Sequence, residues 1–393
     1  MDFTFSEEQQ AAVEAARAVF SGVAPDGVPS PALTEGAVAD DFDRTLWSRL
    51  ADADLLSLVL SPEHGGAGLD PVALCLVLRE AAKVLARVPL LETCAVAMAV
   101  ERYGSPALAA ELLPRVGRGE LVLTVGAHGR TGHDPAELAV TARRDGDRVG
   151  SATGDGATGG RGDGWVLDGT QTGVPWAQGA DRIAVPAHMP DGRAVLALVP
   201  AGHGGVTLAE QVSTNGELFA EVRLVSVRLT AHEVIDTESA WEWLRGLLTT
   251  GTCALALGLG EQVLTMTSAY TGKREQFGFP VATFQAVAVQ AADRYIDLRA
   301  MEATLWQAAW RITTGAGGPL PASADIAVAK IWASEGVRRV VQTAQHLHGG
   351  FGADTGYPLH RFHAWAKQLE LSLGPAAAHE EALGDLLAAH PLG

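Results

Sequence analysis

The stretch YTGKREQFGFPVATFQAV, Tyr270 to Val287, interrupts two long helical patterns with a turn built on Gly278 and Pro280. It places Arg274 just before Phe277. A guanidinium fork suits a pyrophosphate, and an aromatic face suits a purine. The plainer alternative is a solvent-exposed Arg and a core Phe at a helix-helix turn. Outward from this turn, apolar residues recur at helical spacing in ESAWEWLRGLLTTGTCALALGLGEQVLTMTSAYTGK, TFQAVAVQAADRYIDLRAMEATLWQAAWRIT and ADIAVAKIWASEGVRRVVQTAQHLHG. Helices this long, with Ala at many contact positions, pack closely in a bundle.

The last of these helices runs into QHLHGGFGADTGYPLHRFHAW, Gln345 to Trp365. Its histidines invite a metal reading, with His346 and His348 two apart and His360 and His363 three apart, but that spacing is no established ligand pattern. Gly349 and Gly350 offer more. At a helix end they can take positive φ and let backbone amides approach a ligand with no Cβ in the way.

Before the bundle the pattern changes twice. From the start to about residue 118 it is helical: Ser6 with Gln9 makes a capping box, and DRTLWSRLADADLL, PVALCLVLREAAKVLA and SPALAAELLPRVGRG carry three-four spacing. From about Leu121 short β-type runs follow, namely LVLTVGA, LAVTARRDGD, GWVLDGT, RIAVPAHM, AVLALVPAG and AEVRLVSVRL. The expected domains are therefore 1–118 (helical), 119–235 (a β-barrel or sandwich) and 236–393 (a four-helix bundle), an α+β multidomain chain. Gly154, Gly156 and Gly159 match dinucleotide-fingerprint spacing, yet a strand-like run follows them where a helix should open, so a hairpin loop is the better reading.

Composition narrows the function classes. Lys and Arg number 29 against 46 Asp and Glu in 393 residues, a formal charge of -17, and no basic cluster of the kind a phosphate backbone requires is present, so a nucleic-acid partner is not expected. The three cysteines, Cys75, Cys94 and Cys253, form no CxxC pair, which fits a reducing cytoplasm and no disulfide framework. MDFTFSEEQQAAVEAARAVF is acidic where a signal peptide would be basic, and the apolar run GLLTTGTCALALGLG is short for a membrane span. No membrane span is expected.

Taken together, the domain order and the pair REQFGFPVATFQA and HGGFGADTGYPLHR resemble the acyl-CoA dehydrogenase family of flavoproteins over nearly the whole chain. The resemblance implies FAD as cofactor, an acyl-CoA substrate and an electron-transfer acceptor. In that family FAD lies between subunits, and the Arg-Phe motif and Gly-Gly loop of one subunit hold the dinucleotide end of a cofactor whose flavin rests on its neighbour. By resemblance those roles fall to Arg274, Phe277, Gln285, Gly349 and Gly350. His346 stands where the family usually has Gln, and an imidazole can still donate one hydrogen bond.

The same resemblance exposes losses. Alignment puts Leu373 where the family's catalytic Glu stands before Gly374, and Leu248 where some members carry it on the helix before the Arg-Phe motif. The family's Trp-x-Thr reads GVP at Gly173 to Pro175, with Trp176 adjacent, and its TEPxAGSD-like stretch reads TVGAHGRTGHD from Thr124. Glu370 lies one helical turn from Leu373, about 5 Å of displacement, and Glu242 lies on the other helix. The motifs serving a neighbour's FAD are kept, while those serving the chain's own flavin and substrate are eroded. This pattern implies one subunit of a heteromer, in the manner of the α2β2 acyl-CoA dehydrogenases that act on steroid side chains. The alternatives are a homomeric flavoenzyme with Glu370 as an unusual base, and a non-catalytic structural or regulatory subunit.

Overall fold

The computed structural model describes residues 4–31, 34, 36–128, 138–145 and 164–390. Gly154, Gly156 and Gly159 and residues 129–134 of the TVGAHGRTGHD stretch lie outside them. The chain begins with helices α1 (Glu7–Phe20), α2 (Arg44–Asp52), α3 (Pro71–Lys83), α4 (Leu90–Tyr103) and α5 (Pro106–Gly117). The capping box is formed: Ser6 Oγ accepts from the Gln9 amide at 3.2 Å and Gln9 Oε1 from the Ser6 amide at 3.0 Å. Asp43, Asp70 and Ser105 cap α2, α3 and α5 in the same way, each satisfying an amide that the helix cannot. α2 stops where Asp54 takes φ 56°, and α3 ends just before Leu85 at φ 51°.

The strands are β1 (Leu123–Val125), β2 (Val140–Arg144), β3 (Gly164–Pro175), β4 (Arg182–His188), β5 (Ala194–Pro200), β6 (Val206–Val212), β7 (Leu218–Thr230) and β8 (Val234–Ile235). Among the described residues they form one sheet in the order β6-β7-β3-β2-β4-β5-β8, with β1 pairing β4 in parallel. β6 and β8 carry no sequence signal, since β6 alternates exposed and half-buried positions and β8 is only 2 residues long. Alternation in β4 and β5 divides two cores. Ile183, Val185, Val195 and Val199 join Trp165 and Val222 inside the β region, whereas Ala184, Leu196 and Leu198 pack with the helices.

The remaining helices are α6 (Glu238–Lys273), α7 (Gln285–Thr314), α8 (Ala322–His348), α9 (Leu359–Leu371) and α10 (Ala376–Ala389), with the two-stranded hairpin β9 (Glu275–Gln276) and β10 (Phe279–Pro280) between α6 and α7. α6 is the central helix. By length and composition it could cross a membrane, yet 78% of its most apolar window is buried within the fold. At Gly258 an added Cβ would lie 2.0 Å from the Arg79 carbonyl oxygen, so α6 and α3 cross with their backbones in near contact. Arg79 reinforces the crossing, donating from Nε to Glu261 of α6 at 2.9 Å and from a terminal nitrogen to Glu302 of α7 at 3.2 Å.

Candidate functional site: a helix-lined pocket and an exposed bundle end

Where the helical and β regions meet, α3, α4, α6 and α9 and the ends of β1 and β3 line a cleft of about 140 Å³. Its walls are mostly apolar, and both Leu248 and Leu373 belong to them. Leu373 holds φ 59° and Gly374 φ 99°, so the chain turns sharply after α9. Three groups brace that turn. Buried Lys330 donates to the carbonyls of Leu369 and Glu370, both at 3.0 Å; Ser334 Oγ donates to the Glu370 carbonyl at 3.1 Å; and His379 Nε2 donates to the Leu373 carbonyl at 2.9 Å. Burial pushes His379 down to about 4, so its ring is neutral near pH 7.

Two carboxyl groups reach the pocket wall. Glu217 is buried and bonded to Arg87, whose Nε lies 2.5 Å from Oε1. Burial raises its pKa, and the guanidinium opposes that rise. Glu92, in the first turn of α4, has no such countercharge. Burial pushes it up to about 7 against hydrogen bonds from its own backbone amide and from the Trp176 side chain. Trp176 follows β3 directly at φ 58° and packs edge-on to Phe42, ring centroids 6.5 Å apart. Thr124 Oγ1 fixes the end of β3 just before it by donating to the Pro175 carbonyl at 2.6 Å.

Arg274, Phe277, Gln285, His346, Gly349 and Gly350 are all solvent-exposed, and none of them lines this pocket. They gather elsewhere, at one end of the bundle. Tyr270 lies one turn before Arg274, whose amide donates to the Tyr270 carbonyl at 2.9 Å. Its ring stacks on Phe351 at 5.2 Å and on His348 at 4.4 Å, and its hydroxyl donates to the His348 carbonyl at 3.4 Å. The end of α6 and the Gly pair are thus one packed unit.

Phe277 is 91% exposed at the tip of the β9–β10 hairpin, with φ 54°. The reading of a core Phe is therefore wrong: the short hairpin carries the ring out of the bundle core, edge-on to Phe284 at 6.4 Å. Among the described residues the Arg274 side chain has no hydrogen-bond or ion-pair partner. Gly349 sits at φ 59° and ψ -138°, a conformation reserved for glycine, and a Cβ added there or at Gly350 would meet nothing of this chain within 4 Å. An unpaired guanidinium, a bare aromatic face and an open glycine edge are the donor set that an adenine dinucleotide requires.

The histidines have other partners. His348 is buried, with Nδ1 at 2.8 Å from the Ala344 carbonyl and Nε2 at 3.2 Å from the Tyr357 hydroxyl. His360 Nδ1 donates to the Tyr357 carbonyl at 2.9 Å, and burial lowers the pKa of His363. Among the described residues no three ligand-type side chains converge to hold a metal. Glu370 lies apart from the pocket. Its carboxylate lies 2.5 Å from Lys367 Nζ, and Glu370 is absent from the pocket walls; Glu242 is exposed.

Sequence reasoning missed Glu92, Tyr270 and Lys330. Glu92 lies on α4, which is buried on nearly every face from Leu90 to Val100 and so shows no amphipathic period.

The acyl-CoA dehydrogenase N-terminal domain model matches residues 6–120 and the C-terminal domain model residues 249–387. Acyl-CoA dehydrogenase FadE27 of Mycobacterium tuberculosis is 36% identical over 355 residues, 89% of this chain and 90% of that protein. The chain belongs to the acyl-CoA dehydrogenase family. Acyl-CoA dehydrogenases are FAD-dependent oxidoreductases, and FAD is the cofactor of this one. The fold matches the ChsE4-ChsE5 complex of Mycobacterium tuberculosis at TM-score 0.87 and 33% identity, covering 100% of both chains. A variant of the Tcur3481-Tcur3483 steroid ACAD matches at TM-score 0.84 and 36% identity, covering 98% of both. Acyl-CoA dehydrogenase FadE28 of Mycobacterium tuberculosis is 31% identical over 56% of this chain and 61% of that protein.

Proposed function

We propose that this chain is the subunit of a heteromeric acyl-CoA dehydrogenase that lacks its own base and completes an FAD site on a related catalytic chain, in an α2β2 assembly. The observation that carries the reading is a separation in space: every candidate dinucleotide contact is exposed at the bundle end, away from the chain's own pocket. A cofactor held there must rest its flavin on another chain. Arg274 would bind the pyrophosphate, Phe277 would lie on the adenine, and Gly349, Gly350, Gln285 and His346 would present backbone and side-chain donors. When bound, FAD would supply the acceptor for the hydride of the substrate's β-carbon. Removing the α-proton needs a carboxylate within hydrogen-bond reach, and the two wall positions aligned with the family's bases hold Leu248 and Leu373. The base is assigned to the partner.

The similar ChsE4-ChsE5 complex and Tcur3481-Tcur3483 steroid ACAD support a two-chain assembly and a bulky substrate, a steroid side-chain acyl-CoA, for the heteromer. The test is the flavin-to-protein ratio and native mass of the chain purified alone and co-expressed with a related chain that carries the Glu. FAD appearing only in the mixed tetramer, at about one per two chains, is the expected result for a site shared between subunits. One FAD per chain in a homomer, reducible by acyl-CoA, would overturn the reading in favour of a self-sufficient enzyme. No FAD in either preparation would leave a structural subunit.

A further inference from the structure

With the cofactor motifs at the bundle end, the pocket between α3, α4, α6 and α9 is left without an assigned occupant. It is not collapsed: about 140 Å³ stays open although Leu stands at both positions where a base would project. An apolar cleft with a few convergent polar groups is the usual form of a small-molecule site. Of its two carboxyl groups, Glu217 is spent on Arg87. Glu92 accepts from its own amide and from Trp176, which uses about two of the roughly four hydrogen bonds a carboxyl group can take. Trp176 is held over it at positive φ by Phe42 and by the Thr124 bond to Pro175.

We propose that this pocket binds an uncharged, rigid ring compound carrying one hydroxyl group, with the rings against Leu248, Leu373 and the indoles of Trp176 and Trp365 and the hydroxyl on Glu92. A hydroxyl both donates and accepts, so it pairs with the carboxyl group in either protonation state, whereas a cation would find no second countercharge in a wall whose other carboxylate is already paired. A rigid ring loses less freedom on binding than a flexible chain and matches flat indole faces. Such a ligand carries no thioester to acidify an α-proton, so it is bound and not turned over. The site goes beyond the shared-cofactor reading, and neither probe below carries CoA or reduces flavin, so its failure would leave that reading standing.

The probes are 4-cyclohexylcyclohexanol and bicyclohexyl, the same ring pair with and without the hydroxyl. Binding to the full chain is followed by titration calorimetry, with the change in tryptophan fluorescence, to which the two wall indoles contribute among nine, as the check. The alcohol is expected to bind at least about tenfold more tightly than the hydrocarbon, because a polar site rejects the analogue that leaves it unpaired. Glu92→Leu is expected to bring the two affinities within about twofold, and Leu255→Trp, which fills the pocket from α6, to remove binding of both. Equal affinities in the native chain, or undiminished binding by the Leu255→Trp variant, would overturn the proposal. Should Glu92→Leu fail to fold, those two measurements decide it alone.

Discussion

Lys330 is fully buried on α8, and its ammonium donates to Ser334 Oγ at 2.8 Å and to the carbonyls of Leu369 and Glu370 at 3.0 Å. Those carbonyls close α9, the helix that carries Gln368, Leu369, Ser372 and Leu373 into the pocket wall. Burial pushes the lysine down from 10.5 to about 8. Between those two values the unfolded chain holds a proton that the folded chain has released, so this group's contribution to stability rises with pH across that window, against the buried thiols, whose raised pKa acts in the opposite sense in native and variant chains alike. The rise amounts to about 3 kcal/mol from this one group. Lys330→Met removes the titration. At pH 7 it has two opposed effects: orphaning the two carbonyls costs about 2–4 kcal/mol, while relief from burying an ammonium returns a similar amount. The decisive quantity is therefore the slope. Urea unfolding of native and Lys330→Met chains from pH 7.5 to 10 should show the native curve gaining relative to the variant as pH rises. The upper limit avoids Tyr357, whose burial-raised pKa acts in the opposite sense at higher pH. Parallel curves for the two proteins would refute the reasoning.

Other outcomes follow from the same geometry. Glu92, raised to about 7 from an ordinary value of 4.5, has the opposite sign: the folded chain keeps its proton longer, so stability falls as pH rises from 4.5 to 7, by about 3 kcal/mol, and Glu92→Gln should flatten that fall in a pH series of melting curves. Arg274→Ala should cost the co-expressed heteromer about 2 kcal/mol of FAD binding, read as flavin lost through gel filtration, with no change in the chain's unfolding midpoint because the exposed side chain has no hydrogen-bond or ion-pair partner among the described residues. Gly349→Ala should destabilise the chain by about 1–3 kcal/mol through its backbone angles, whereas Gly350→Ala, with open space at its Cβ, should leave stability alone and reduce only flavin retention. Equal thermal shifts for the two glycine variants would remove the distinction.

Local chemistry is legible in the residues themselves. Ser6 with Gln9, the turn at Gly278 and Pro280, and the helix stop at Gly349 each depend on a few adjacent residues, and each forms as its residue types require. Regular amphipathic segments are legible for the same reason. Where burial is complete the signal fails: α4 has no polar face to set a period, so neither the helix nor Glu92 on it shows in the pattern. Where burial is slight it fails too, as for β6.

The sequence by itself determined that the chain carries an Arg-Phe pair and a Gly-Gly loop at the ends of long helical segments, with leucine at 248 and 373. Only the tertiary structure decided that Phe277 projects into solvent, that Tyr270, His348 and Phe351 stack to join hairpin and loop, and that Lys330 holds the far end of α9. The reason is physical. Residue type and spacing fix what a group can do and the conformation of its own turn, while its solvent exposure, its countercharge and its pKa are set by residues distant in the chain that meet it only when the helices pack.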